Sequence, residues 1–75
     1  MFVNKEKLDA IRMLYWPGTR VSLVDMDDDQ APPPGTRGTV MAVDDAGTIH
    51  VKWDNGSTLG AIYGVDRVQI ISQGN

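Results

Sequence analysis

The periodicity of this chain changes at Pro17-Gly18, and that change limits its fold more than any other feature. Before it, apolar residues recur at helical spacing; after it, they alternate, and glycine-bearing turns break the alternation into short pieces. Upstream, Asn4 is a good N-cap residue, Glu6 falls in the first turn, and Leu8, Ile11 and Leu14 or Tyr15 share one stripe. These features predict a helix over 4–15, stopped by Pro17-Gly18. About three turns of helix are marginal alone, so the stripe must pack on something.

Downstream, the alternation predicts five strands: Thr19–Val24, Gly38–Val43, Thr48–Trp53, Thr58–Tyr63 and Arg67–Ile71. Asp44-Asp45-Ala46-Gly47 and Asp54-Asn55-Gly56-Ser57 read as hairpin turns, the second carrying the Asn-Gly pair typical of type I′. Met26–Gly35 reads as a loop with an acidic run followed by three prolines, and 72–75 as a frayed tail. Five short strands in about fifty residues suggest a small closed or half-closed antiparallel barrel, whose closure would cover edges that an open sheet exposes. The tetrapeptide Pro17-Gly18-Thr19-Arg20 recurs as Pro34-Gly35-Thr36-Arg37. Two copies do not make a solenoid, and the repeat reads as one strand-entry turn used twice.

The stretch Pro34-Gly35-Thr36-Arg37-Gly38-Thr39-Val40, followed by Val43-Asp44-Asp45-Ala46-Gly47-Thr48-Ile49-His50-Val51-Lys52-Trp53-Asp54-Asn55-Gly56, resembles the central hairpin of small SH3-like barrels. With Pro17–Val21 before it and Gly64-Val65-Asp66-Arg67 after it, the chain is similar from Trp16 to Ile71 to the bacterial family called domain of unknown function 4314. The resemblance implies a fold and no assigned activity. The expected architecture is α+β and mainly β, a five-stranded antiparallel SH3-like barrel preceded by one N-terminal helix, as a single domain over 1–75.

Composition narrows the function. The chain has 75 residues, no cysteine and a formal net charge of −3. A chain this short buries only about 60% of its unfolded surface, and here neither disulfide nor thiolate metal site reinforces it. No apolar run approaches the roughly 20 residues of a membrane span, and charges at Lys5, Glu6 and Lys7 interrupt any signal-like stretch, so the expectation is a cytoplasmic protein without membrane contact. Ten carboxylates outnumber seven scattered basic residues, which weighs against phosphate binding unless folding gathers the cations.

Catalysis finds no support. His50 is the only histidine, falls on the solvent face of its strand with Thr48 and Lys52, and has no second metal ligand or nucleophile beside it. Ser22, Ser57 and Ser72 lack a partner base, and Gly35-Thr36-Arg37-Gly38 is too short for a P-loop and lacks its lysine. No catalytic residue, metal or cofactor is expected. The run Asp25, Asp27, Asp28, Asp29 lacks the spacing and glycine of a calcium loop and reads as solvated, with an acidic docking patch as the functional alternative. Pro32-Pro33-Pro34 stiffens that loop.

The aromatics carry the most function-like signal. Trp16, Trp53 and Tyr63, with Asp27, Asp28 and Asp29, form the candidate binding surface. Packing is the competing use: Trp53 ends its strand with inward phase, and Trp16 is placed to pack the helix onto the barrel. The leading expectation is a non-catalytic protein-interaction module, an accessory subunit or a homodimer joined through the stripe Leu8, Ile11, Leu14 and Tyr15. The alternative is a nucleic-acid-binding module, which requires Arg20, Arg37, Lys52 and Arg67 to share a face with Trp53.

Overall fold

A computed structural model describes residues 4–73. Helix α1 spans Lys5–Leu14. Asn4 caps it, its Oδ1 accepting from the Lys7 N–H at 2.8 Å. The Tyr15 N–H closes the other end on the Ile11 carbonyl at 2.9 Å. Leu8 and Ile11 are buried, whereas Leu14 is exposed, so the stripe continues through Tyr15. Leu8 and Ile11 are therefore spent within the chain's own core, and of the stripe expected to join a homodimer only Leu14 and part of Tyr15 reach the surface.

The sheet comprises β1 (Arg20–Asp25), β2 (Arg37–Val43), β3 (Thr48–Trp53), β4 (Ala61–Ile62) and β5 (Arg67–Ser72). Its order is β4-β3-β2-β1-β5, with every strand pair antiparallel. Alternation turns Val21, Leu23, Val40, Ile49, Val51 and Trp53 inward, where Leu8 and Ile11 complete the core. The result is a mainly β, barrel-like fold that is not closed, because β4 and β5 end the sheet at opposite edges. Among the described residues no helix is long and apolar enough to cross a membrane.

The repeated Pro-Gly-Thr-Arg forms the same turn twice. The Thr19 N–H donates to the Trp16 carbonyl and the Thr36 N–H to the Pro33 carbonyl, with Gly18 at φ +92° and Gly35 at φ +91°. Proline followed by a glycine of positive φ is the chemistry of a type II turn. Each copy also clasps the strand that follows the other. The Gly18 N–H donates to Val40 O and the Val40 N–H to Thr19 O; the Gly35 N–H donates to Leu23 O and the Leu23 N–H to Thr36 O. A local two-fold relation thus pairs β1 with β2.

Three bulges curl the sheet. Each adds one residue to one strand: Val24 in β1, Met41 in β2 and Ile71 in β5. Those residues are 45%, 57% and 46% exposed, so each bulge turns an apolar side chain outward, and after Met41 the strand brings Val43 back to the core.

Two turn details differ from expectation. No non-glycine residue among those described has positive φ, so Asn55-Gly56 is not type I′. The Gly56 N–H donates to Trp53 O and the Trp53 N–H to Ser57 O, a longer loop with Gly56 at φ +96°. Asp44–Thr48 is built the same way around Gly47. The fourth strand is two residues long, far shorter than Thr58–Tyr63, because Ser57–Gly60 wraps the Trp53 indole instead of continuing the ladder. Ser72 pairs with Arg20 and belongs to β5, while 74–75 lie outside the described residues.

Candidate interaction surface

The three singled-out aromatics separate. Trp53 is 1% exposed, and its Nε1–H donates to Leu59 O at 2.8 Å. It is a core residue and cannot belong to a binding surface. Trp16 is 51% exposed, too open to be the packing residue expected at the helix–strand junction. Tyr63 is 39% exposed and meets Tyr15 edge to face, with ring centroids 6.4 Å apart.

Tyr15 links Trp16 to Tyr63. It lines a cleft of about 230 Å³ with Trp16, Pro17, Ala42 and Val43. Arg12 forms one wall of that cleft, held by Nε–H to Val43 O at 3.2 Å and by Nη2 to Asp45 Oδ1 at 2.7 Å. Tyr15 also lines a second cleft of about 380 Å³ with Ile49, Tyr63, Val65 and Val68, at the gap between β4 and β5. Burial, and then the neighbouring Tyr63, raise the Tyr15 phenol above its ordinary pKa, so it stays a neutral donor.

The acidic loop is elsewhere. Asp28 Oδ1 accepts from the Gln30 N–H at 2.7 Å, and Asp27 and Asp29 are exposed. Asp28 borders a third groove with Thr48, His50, Ser57 and Gly60, which shares no lining residue with the aromatic clefts. Asp27, Asp28 and Asp29 therefore do not join Trp16 and Tyr63 in one surface.

His50 has a partner that the sequence reading missed. Its Nε2 lies 2.9 Å from Asp44 Oδ2, while Asp44 Oδ1 accepts from the Ala46 and Thr48 N–H groups. His50 first, and then the backbone donors, hold the Asp44 carboxyl below its usual range. The signal was the hairpin itself, because a turn over 44–47 returns 48–50 beside Asp44. Among the described residues no group of three His, Cys, Asp or Glu is placed to hold a metal ion.

All four cations are on the outward side of the sheet, and three of them lie close together. Arg20, Thr39 and Lys52 form one row across β1, β2 and β3, with Ser22 and Arg37 in the next. Asp54 lies among them, gripped by Arg20. Arg67 stands apart, opposite Asp25 beyond the Val24 bulge, and Trp53 is on the inward face. The full set expected for the nucleic-acid alternative is therefore not assembled.

No curated protein and no solved structure matches the chain. A family model matches residues 4–71, nearly the whole chain, which therefore belongs to the family described as Domain of unknown function (DUF4314).

Proposed function

We propose that the chain is a non-catalytic protein-interaction module that takes an extended apolar peptide segment along Trp16, Tyr15 and Tyr63. The observation carrying this reading is that Tyr15 walls two adjoining clefts, a mainly apolar one at the helix end and one at the open side of the sheet that Asp66 and Arg67 also line. Apolar lining with a few polar groups, here Arg12, the Tyr15 hydroxyl, Asp66 and Arg67, suits peptide side chains. Exposed Val65 extends the apolar rim. Support for a non-catalytic role comes from His50, which is exposed and engaged by a turn carboxylate instead of a nucleophile.

Panning a random peptide display library against the folded chain tests this. The expected result is enrichment of apolar or aromatic peptides whose binding falls about tenfold or more with Trp16→Ala or Tyr63→Ala, the scale of one lost aromatic anchor. Peptides indifferent to both substitutions would defeat the reading.

A further inference from the structure

The middle of the outward face of β1–β3, around Arg20, Arg37 and Lys52, is cationic on a chain of net charge −3, and carboxylates flank it, Asp25 at the end of β1 and Asp44 beside His50. Buried Val21, Gly38, Val40, Val51 and Trp53 fix the inward phase, which turns Arg20, Arg37 and Lys52 together onto the other side. With Asp54 that set is three cations and one carboxylate, a net +2, on a chain whose total is −3. The remaining residues therefore sum to −5, and four of those charges lie at Asp25, the last residue of β1, and at the loop residues Asp27, Asp28 and Asp29. Folding segregates charge that the sequence scatters.

We infer that this face binds the phosphate backbone of nucleic acid through Arg20, Arg37 and Lys52. Arg37 and Lys52 make no ion pair within 4.0 Å among the described residues, although Arg37 lies near enough to Asp54 to help lower its pKa. Arg20 is held in place by Asp54 and Thr39, and the fork retains donors beyond those bonds. Ser22, Thr39 and Gln69 stand between or beside the cations, side chains of the kind that donate to phosphate oxygens. Arg20 and Lys52 are two strand spacings apart, roughly 10 Å. A repeating phosphate chain matches such a spread of point charges better than a single anion does. Among the described residues the face presents no aromatic ring to stack a base, so contact is to the backbone and independent of sequence.

This inference is independent of the peptide cleft, because Trp16 and Tyr15 belong to the helix end and Ile49 and Val68 to the inward side. The test is fluorescence anisotropy of a labelled duplex with the full chain across a salt series. Binding is expected at about 20 mM salt, with a log–log salt slope of about −2 to −3, since each neutralised phosphate contributes about −0.9. Arg37→Glu with Lys52→Glu should lower affinity at least about tenfold with the circular dichroism spectrum intact, whereas Trp16→Ala should leave it unchanged. No binding at low salt, equal binding by a folded charge-reversed variant, or displacement by polyglutamate as readily as by unlabelled duplex would each overturn the inference. The last outcome would assign the face to an acidic protein instead.

Discussion

Arg20 grips Asp54 with two parallel hydrogen bonds, Nη1 to Oδ1 at 2.8 Å and Nη2 to Oδ2 at 2.7 Å. The pair joins the first residue of β1 to the turn after β3 and crosses over Thr39 of β2, which also accepts from Nη1 at 3.1 Å. A planar fork meeting a carboxylate is the strong geometry for such a bond, though solvent reaches both groups here.

Acid should expose the contribution of two carboxylates. Arg20 lowers the Asp54 pKa and His50 lowers that of Asp44. An unfolded Asp titrates near about 3.9, so each group stabilises the fold above that pH and loses the contribution as pH falls through its lower folded value. The melting temperature of the native chain should therefore decline below about pH 4. Asp44→Asn with Asp54→Asn should start lower at neutral pH and decline less steeply in acid. Thermal melts from neutral to acid pH check this, and parallel curves for the two proteins would contradict it.

Trp16 and Trp53 should behave as opposite kinds of tryptophan. Trp53→Phe loses buried volume and leaves the Leu59 carbonyl without its donor, a cost of about 2–4 kcal/mol. Trp16→Phe should cost less than about 1 kcal/mol. Emission from Trp16→Phe, which retains only Trp53, should be blue-shifted and resist iodide quenching. Emission from the folded fraction of Trp53→Phe should be readily quenched. Denaturant titrations give the energies.

Gly38 is required by space. A Cβ there would stand 2.6 Å from Val51 Cγ1, 2.8 Å from Trp53 Cε3 and 3.0 Å from the Lys52 carbonyl oxygen. Gly38→Ala should cost about 1–3 kcal/mol through overpacking. Gly35→Ala meets no atom within 4 Å, and its cost of about 1–2 kcal/mol should come from its φ of +91° alone. A Gly38→Ala protein as stable as the native chain would contradict the packing described for the β2–β3 hairpin.

The Met41 bulge separates substitution from deletion. Met41→Lys changes an exposed side chain and should shift stability by less than about 0.5 kcal/mol. Deleting Met41 removes the bulge and leaves Val40, Ala42 and Val43 alternating in register with Val51, His50 and Ile49, so the variant should still unfold cooperatively, at a melting temperature lowered by the loss of the bend. Calorimetry of both variants checks the contrast.

Local chemistry made much of this fold legible. Asn4 needed only the amides one turn ahead to act as a cap. Pro17-Gly18 and Pro34-Gly35 needed only their own torsional preferences to make matching turns. The alternation from Thr48 to Trp53 fixed the inward side of β3, and the observed strand has those same ends. The stripe through Leu8 and Ile11 named the packed side of the helix, although Leu14 proved exposed and Tyr15 continued the stripe.

The candidate surface was less legible, because it depends on contacts distant in sequence. Arg20 and Asp54 are 34 residues apart, and their pairing follows from the register of three strands. A period of two cannot locate a bulge, since one added residue looks like any other until its partner strand is known; hence Val24, Met41 and Ile71 face outward unannounced. Composition distinguishes neither tryptophan, and Trp53 is inside because 57–60 folds across it while Trp16 ends a helix beside an open cleft. The sequence by itself determined the helix, four of the five strands, the two Pro-Gly turns and the inward side of β3, all set by backbone preference and side-chain alternation. Only the tertiary structure decided which aromatics meet solvent, where the cations gather and that the sheet remains open, because these depend on strand register and on the loop that shortens β4.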